Sequence, residues 1–158
     1  MPELPEVETT IRGLNILKNK KVIKVNLYTK KLRFNIPTDI YQTLKHQRII
    51  EIERLAKYIL VKFKNNITMI IHLGMSGRIK IFNSNFTKKK HDHIIISFKN
   101  GYFLVFNDPR KFGFVDIAET SKIYNKRYIS LLGVDALSNR LTANYLYIKI
   151  HQSTVPIK

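Results

Sequence analysis

Hydrophobic residues at the start of the chain follow the repeat of an amphipathic helix. Between positions 5 and 20 they occur at helical spacing: Val7, Ile11, Leu14 and Leu17. Pro5 suits the first turn of a helix, and the carboxylates of Glu6 and Glu8 interact favourably with a helix N-terminus. The pattern therefore predicts a helix over residues 5–20 with an apolar stripe along one side.

Beyond position 20 the period changes to two, which predicts strands. In the first strand, three apolar residues alternate with more polar ones: Ile23, Val25 and Leu27. Further β-rich runs cover residues 48–55, 58–63, 67–72, 78–82, 93–98 and 102–106. Asn65-Asn66 and Asn100-Gly101 separate pairs of these runs, so tight hairpin turns are expected at both places.

The order of these elements predicts a mainly β protein with flanking helices. Several short antiparallel strands are typical of a two-layer antiparallel β-sandwich, here with an N-terminal helix and a C-terminal helix. Thr142 can cap the second helix, which would carry Leu146 and Ile150. Because 158 residues support one core, we expect a β-sandwich domain over residues 1–140, followed by a terminal helix and linker over residues 141–158.

The charge balance favours a polyanionic partner. The chain has 28 Lys and Arg against 11 Asp and Glu, a formal net charge of +17. A basic surface gathers phosphates by releasing their counterions, which makes nucleic acid the first candidate. An anionic membrane, a ribosomal partner, and a lysine-rich composition without functional meaning remain open on charge alone.

Composition excludes several classes of protein. Apolar residues make up 44% and charged residues 25% of the chain, as in folded globular domains. No apolar run is long enough to span a bilayer, and the acidic start is unlike a secretory signal, so a cytoplasmic protein without a membrane partner is expected. The absence of cysteine excludes disulfides and Cys-ligated zinc.

The first residues offer a nucleophile without a side chain. Proline at position 2 is small enough that removal of Met1 is expected, which would expose a secondary amine. An α-amino group titrates near pH 8, so it could attack a sugar C1′ and form an iminium, while Glu3 exchanges a proton. On these two residues alone, an ordinary chain start with helix N-terminal acids is the better interpretation.

Five separated segments change that interpretation. They are MPELPEVET at 1–9, AKY at 56–58, HLGMSG at 72–77, KHDH at 90–93 and DPRKFG at 108–113. In order and approximate spacing the chain resembles the formamidopyrimidine-DNA glycosylase family, from Met1 essentially to Lys158. Leu4 favours this branch over the endonuclease VIII type, which typically has glycine there.

The resemblance implies a catalytic group within residues 1–140. Pro2 would be the Schiff-base nucleophile, Glu3 the proton donor in base release, and Lys57 the residue that positions the lesion strand and assists β-elimination. Read from the sequence alone, Lys57 would be an ordinary solvated lysine at the start of a strand.

The resemblance also implies DNA contacts. Met75, Arg110 and Phe112 would form the triad that fills the stack when the damaged nucleotide is extruded. Taken singly, Met75 and Phe112 are more often core residues. His72 and His91 would contact phosphate or DNA. His91 and His93, two positions apart, also suggest a metal pair, which the lack of a third ligand makes the weaker interpretation.

The implied function is base-excision repair by a bifunctional DNA glycosylase and AP lyase. It would remove oxidised purines, such as 8-oxoguanine and formamidopyrimidines, from double-stranded DNA and nick the abasic site, with no cofactor in this chain, at the nucleoid in the cytoplasm. The family's helix–two-turn–helix segment and four-cysteine zinc finger are expected to be absent here. A catalytically idle remnant, half of a split enzyme with a separately encoded C-terminal half, and an unrelated RNA- or ribosome-binding module are the alternatives.

Overall fold

The computed structural model describes residues 2–156. Met1 and its expected removal therefore lie outside the described residues, as do the last two residues of the predicted linker. The described chain contains eight strands: β1 (Val22–Leu27), β2 (Ile49–Leu55), β3 (Tyr58–Phe63), β4 (Ile67–His72), β5 (Arg78–Asn83), β6 (Asp92–Phe98), β7 (Tyr102–Asn107) and β8 (Phe114–Glu119). Its α-helices are α1 (Leu4–Leu14), α2 (Ile40–Leu44), α3 (Arg127–Ser130) and α4 (Ala143–His151), with 3₁₀ turns at Asn15–Leu17 and Thr120–Asn125.

The strands form two antiparallel sheets, which confirms the predicted two-layer β-sandwich. One sheet has the order β1-β6-β7-β5 and the other β2-β3-β4-β8. Both inner faces and helix α1 contribute apolar side chains to one large core. The ends of β3, β4, β5, β6 and β7 that lie near α1 carry the loops in which most of the predicted site residues are found.

Helix α1 has the predicted apolar stripe but is shorter than predicted. All four residues of the stripe are buried: Val7, Ile11, Leu14 and Leu17. A capping box joins Glu3 and Glu6 at its start, where the two side chains accept hydrogen bonds from each other's backbone N–H groups. The α-helix ends at Leu14, and a 3₁₀ turn carries Leu17 into the core.

The predicted strand bounds hold to within two residues, but the burial pattern predicted for β1 is confirmed only at Val25. Ile23 is 47% exposed and Leu27 is also exposed, whereas Val22 and Val25 are buried. A bulge between Val22 and Lys24 inserts Ile23 as an extra residue, and this shifts the side chains that follow it to the other face. Strand β2 has a similar irregularity that turns Ile50 outward.

Both predicted hairpin turns are present. Asn66 has φ 60° in the turn between β3 and β4, and Asn100 and Gly101 have φ 81° and 80° between β6 and β7. Consecutive positive φ angles are those of the turn that suits a two-residue hairpin. The sequence did not predict the short helices α2 and α3 or strand β8, which completes the second sheet beside β4.

Helix α4 begins as predicted, because the Thr142 hydroxyl accepts a hydrogen bond from the Tyr145 N–H at 3.1 Å. It ends at His151 and buries none of its side chains against the described residues. Leu146 and Ile150 both remain exposed. Within residues 2–156, no helix combines the length and apolar character needed to cross a membrane.

Candidate active site

A cavity of about 800 Å³ lies beside α1, near the start of the chain. Pro2 lies in its wall, together with Glu6 on the first turn of α1 and Met75 on the loop between β4 and β5. Asn107 at the end of β7 also lines it. The residue predicted as nucleophile therefore borders a space that is open to a ligand.

The structure brings the other two predicted catalytic residues together. Lys57 Nζ lies 2.7 Å from Glu3 Oε2, an ion pair between the β2–β3 turn and the residue that caps α1. Ala56 adopts φ 51°, so the two strands join in a tight turn that presents Lys57. A carboxylate and an ammonium in contact, next to Pro2, can hold or move a proton beside the chain start.

Next to Pro2, Glu3 and Lys57, two loops pack backbone against backbone at glycine residues. Gly74 has φ 64°, and a Cβ atom built there would lie 2.4 Å from the backbone N of Gly113 and from the carbonyl carbon of Phe112. A Cβ on Gly77 would lie 2.2 Å from the Leu73 carbonyl oxygen. Such distances are far inside contact range, so these positions accept only glycine without displacing backbone. We call residues 73–77 and 108–113 the loop pair.

A buried carboxylate holds the loop pair from inside. Asp108 is fully buried; its Oδ1 accepts hydrogen bonds from the Ser76 hydroxyl at 2.5 Å and the Arg110 N–H at 3.3 Å, and its Oδ2 accepts from the Gly113 N–H at 2.8 Å. His93 Nε2 lies 2.9 Å from the Asp108 carbonyl oxygen. Asp108 belongs to a motif noted in the sequence, but its role was not predicted.

The loop pair presents the three residues predicted to enter DNA. Met75 is 49% and Phe112 is 44% exposed, which excludes the alternative that they are core residues. The Arg110 guanidinium lies over the Phe112 ring, 4.6 Å from its centroid. Lys111 between them adopts φ 56°, a tight bend that brings the two neighbouring side chains together. The apolar ring of Phe112 and the hydrogen-bond donors of Arg110 therefore lie side by side at the exposed end of this loop.

His72 lies at the end of β4 in an aromatic cluster. Its ring stacks on Phe114, with centroids 5.6 Å apart and an interplanar angle of 12°, and lies 5.1 Å from the Tyr58 ring. Burial lowers the pKa of His72, and the positive charges of Arg33 and Lys57 lower it further. Because Nδ1 accepts the Gly74 N–H at 3.0 Å, Nε2 carries the proton. His72 is thus a neutral hydrogen-bond donor.

The other histidines do not form the pair that the sequence suggested. His93 is buried and engaged with Asp108, while His91 lies half-buried just before β6 begins. Their ring centroids are 6.4 Å apart. Within the described part of the chain, no cluster of three or more His, Asp or Glu side chains could hold a metal ion. His91 remains a predicted DNA contact.

Arg54 is a second residue that the sequence did not single out. Its guanidinium lies 3.0 Å from the Asp135 carboxylate, donates to the Ala56 carbonyl at 3.1 Å, and approaches Glu8 of α1 at 3.5 Å. The Arg54 side chain is 13% exposed, and its bond to Asp135 lowers the pKa of that carboxyl. It therefore ties α1, the turn bearing Lys57, and the segment before α4 together.

Comparison with known proteins identifies the family. The formamidopyrimidine-DNA glycosylase N-terminal domain matches residues 1–115 of the chain. The chain belongs to this family. That match covers Pro2, Glu3, Lys57 and both members of the loop pair.

Relatives extend the family match to the whole chain. Formamidopyrimidine-DNA glycosylases from Zymomonas mobilis and Vesicomyosocius okutanii are 41% and 43% identical to it over 159 aligned positions, covering 100% of the chain. The chain spans 58% of the length of each relative. A crystal structure of the Lactococcus lactis enzyme, bound non-covalently to DNA containing an AP site, superposes with a TM-score of 0.90 at 26% identity, covering 99% of this chain and 60% of that one.

Proposed function

We propose that the chain is the catalytic part of a bifunctional DNA glycosylase and AP lyase that removes oxidised purines from duplex DNA. The observation that carries the proposal is the position of Pro2 in the cavity wall, directly before the ion pair between Glu3 and Lys57 at 2.7 Å. A nucleophilic amine, a proton donor and a cation are the groups that Schiff-base excision of a base requires.

The proposed reaction begins at the sugar. The lone pair of the Pro2 nitrogen forms a bond to C1′ while the bond from C1′ to the base breaks, and Glu3 supplies the proton that the departing base needs. The bond from C1′ to the ring oxygen O4′ then breaks, the Pro2 nitrogen gives up its proton and O4′ takes one up. This leaves an open sugar with an iminium between Pro2 and C1′. The iminium withdraws electrons and makes the C2′ proton acidic, so its loss drives cleavage of the bond from C3′ to the 3′ phosphate. These steps need no metal or organic cofactor.

Lys57 contributes through its contact with Glu3. Its ammonium keeps a positive charge beside the carboxylate in the free protein and can turn to a phosphate of the lesion strand when DNA enters. The ammonium can donate a proton during elimination, and the neutral amine that this leaves can then take a proton up again. Lys57 therefore takes part both in binding the lesion strand and in the proton transfers of the reaction.

The loop pair supports the extrusion step. Removal of a nucleotide from the stack costs a few kcal/mol, and apolar or aromatic side chains that occupy the gap offset that cost. Met75 and Phe112 are exposed for this purpose, and Arg110 can donate to the orphaned base. His72, a neutral donor at the edge of the same region, suits a phosphate oxygen.

The names of related structures support the substrate class. The Lactococcus lactis enzyme has been crystallised with DNA containing an abasic site and with DNA containing an N7-benzyl-Fapy-dG lesion. We carry these substrates to the present chain as part of the proposal, which also places its action at the nucleoid in the cytoplasm.

Borohydride trapping tests the reaction. Protein of verified N-terminal mass is incubated with a duplex that contains 8-oxoguanine or an abasic site, and the iminium is reduced to a stable adduct. Pro2→Gly replaces the secondary amine of proline with a primary amine and should greatly weaken the adduct on both duplexes, whereas Pro5→Ala, on the exposed first turn of α1, should retain it. An undiminished adduct with Pro2→Gly would refute the nucleophile.

Glu3→Gln distinguishes release of the base from the later steps at the abasic sugar. Without a proton donor, release of 8-oxoguanine should fall by about 10²-fold or more. An abasic site has already lost its base, so trapping there should persist. Equal loss on both duplexes would show that Glu3 acts in the sugar steps rather than in base release.

A second candidate is half of a split enzyme or an idle remnant. Its support is α4, where no side chain is buried by the described residues. A separately encoded C-terminal half would cover such a helix. If the chain alone gives no adduct, addition of the C-terminal part of the Zymomonas mobilis relative should restore trapping to a split enzyme but not to a remnant.

A further inference from the structure

The end of the sandwich opposite Pro2 carries a row of four basic residues. Each lies immediately beside a strand: Lys99 after β6, Lys21 before β1, Arg48 before β2 and Lys64 after β3. The Lys99 N–H donates to the Lys21 carbonyl at 2.8 Å, Lys21 and Arg48 form an antiparallel bridge, and the Lys64 N–H donates to the Arg48 carbonyl at 3.0 Å. We call these four residues the distal row.

Backbone pairing fixes the spacing of the distal row. Neighbouring strands lie about 4.8 Å apart, so three such steps extend the row over roughly 14 Å. Duplex DNA carries one phosphate per about 3.4 Å of axis on each strand, so the row can face about four phosphates of one strand. The row crosses from one sheet to the other, which places four cations on a continuous edge.

The loop before β1 adds two more lysines, Lys18 and Lys20. Lys20 Nζ lies over the Tyr102 ring, 4.3 Å from its centroid, which directs the charge along the same end of the molecule. The Arg48 guanidinium donates to the Asn19 carbonyl at 2.9 Å and fixes this loop against the row. The cations are therefore held on an ordered backbone.

No acidic side chain compensates the distal row. Among residues 2–156, none of the ion pairs includes any of its four members. The acids near this end have other partners: Glu51 pairs with Lys62 at 3.0 Å and Glu119 with Lys122 at 2.8 Å. Asp39 accepts a hydrogen bond from the Thr43 hydroxyl at 3.5 Å. Uncompensated charge at this density attracts a polyanion.

The distal row is remote from the proposed active site. Lys57 precedes β3 and Lys64 follows it, so the six residues of Tyr58–Phe63 separate the two ends of the molecule. At about 3.3 Å per residue that is roughly 20 Å. A phosphate bound at one end is thus not in contact with the other end.

We propose that the distal row binds the phosphate backbone of a second DNA duplex, without sequence preference, while the lesion-bearing duplex occupies the opposite end. This second contact goes beyond the proposed glycosylase activity and requires no catalytic residue. It would allow the protein to pass between neighbouring DNA segments without returning to solution, because one end binds before the other releases.

A bridging measurement tests the proposal. An abasic duplex carrying biotin is immobilised, the protein is added, and retention of a second, dye-labelled undamaged duplex is measured. Lys21→Gln/Lys64→Gln/Lys99→Gln removes three charges from the row and keeps their aliphatic stems; retention should fall at least 10-fold. The control, Arg127→Gln/Arg140→Gln/Lys149→Gln, removes the same charge away from the row and should retain the dye-labelled duplex. Equal thermal melting of both variants establishes that folding is intact.

The outcomes distinguish binding of a second duplex from binding of a lipid surface. Retention by the row variant at the control level, or no retention by the natural chain, would overturn the proposal. Loss of binding to phosphatidylserine vesicles in the row variant, with duplex retention unchanged, would assign the row to a lipid surface instead. The proposed function is judged separately, because borohydride trapping on the immobilised duplex depends on Pro2 and not on the row.

Discussion

The loop pair and helix α4 contrast in how the chain holds them in place. The loop pair is fixed by backbone contacts at Gly74 and Gly77 and by the buried carboxylate of Asp108. Helix α4 has a well-formed cap at Thr142, yet none of its side chains is buried by the described residues. Local hydrogen bonding defines a helix, but it takes long-range packing to fix the place of an element in the fold.

This contrast bears on the proposed function, because the loop pair supports exposed side chains. Met75, Arg110 and Phe112 project from a base that cannot shift without breaking buried contacts. A wedge that enters DNA must not fold back into its own protein, and a rigid base prevents this. Changes in the loop pair should therefore destabilise the chain far more than changes in α4.

Gly77→Ala should destabilise the protein by about 3 kcal/mol, because the new methyl group would overlap the Leu73 carbonyl oxygen. Urea denaturation followed by circular dichroism measures the change. The control is Gly13→Ala in α1, where a Cβ meets no atom within 4 Å and alanine should change stability by less than about 1 kcal/mol. Equal effects of the two changes would show that the loop pair is not tightly packed.

Asp108→Asn should lower the free energy of unfolding by about 2 kcal/mol. In the folded protein the backbone N–H groups of Arg110 and Gly113 donate to the two carboxylate oxygens, and the variant would place an amide NH₂ against one of these donors. Hydrogen exchange at Gly113 should also accelerate, as its N–H loses its acceptor. Asp39→Asn is the matched control, because its carboxylate is exposed and makes a weak bond to Thr43. A normal exchange rate at Gly113 in Asp108→Asn would contradict the role given to this carboxylate.

His72 should make stability depend on pH. Its pKa is lowered in the folded protein, so the unfolded chain binds the proton more readily. The stability it confers is complete above about pH 6.5, the unfolded value, and is lost as pH falls through that value towards the folded pKa. The free energy of unfolding, measured from pH 7.5 to 5.5, should fall less steeply in His72→Gln than in the natural chain or in His151→Gln. Parallel curves would refute this.

Leu146→Gln and Ile150→Gln in α4 should each change the free energy of unfolding of this chain by less than about 0.5 kcal/mol, because both side chains are exposed. Urea titration of the two variants provides the measurement. A loss above about 2 kcal/mol would mean that α4 packs on the sandwich, and the contrast with the loop pair would then disappear.

The sequence predicted the elements whose signals are local. Strands β3 and β4 occupy the predicted residues 58–63 and 67–72, since continuous apolar runs bounded by asparagine turns have few other interpretations. Strand β8 was missed because it follows the DPRKFG motif directly and has no turn signal of its own. Helix α2, with five residues, is too short to show a helical period.

Bulges and long-range contacts account for the errors in the fold and in the site. A single inserted residue, Ile23, is exposed where the alternation in β1 predicted an inward side chain, and no periodicity reveals an insertion of one residue. Asp108 bonds to Ser76, 32 residues away, and Arg54 to Asp135, 81 residues away. The fold brings such distant residues together, so a local sequence pattern does not reveal them as partners. The family resemblance, not spacing alone, brought Pro2, Glu3 and Lys57 into one group.

The two bulges have a consequence for how the protein behaves in concentrated solution. Strands β1 and β2 are each the outer strand of a sheet, and an outer strand can pair with a neighbouring molecule. At the start of these strands the outer edge is already paired, since the Val22 N–H donates to the Gln47 carbonyl and the Ile49 N–H to the Lys20 carbonyl. The extra residues Ile23 and Ile50 follow directly and bend the remaining, unpaired edge. Deletion of either residue would straighten its edge, and the expected result is self-association that increases with concentration.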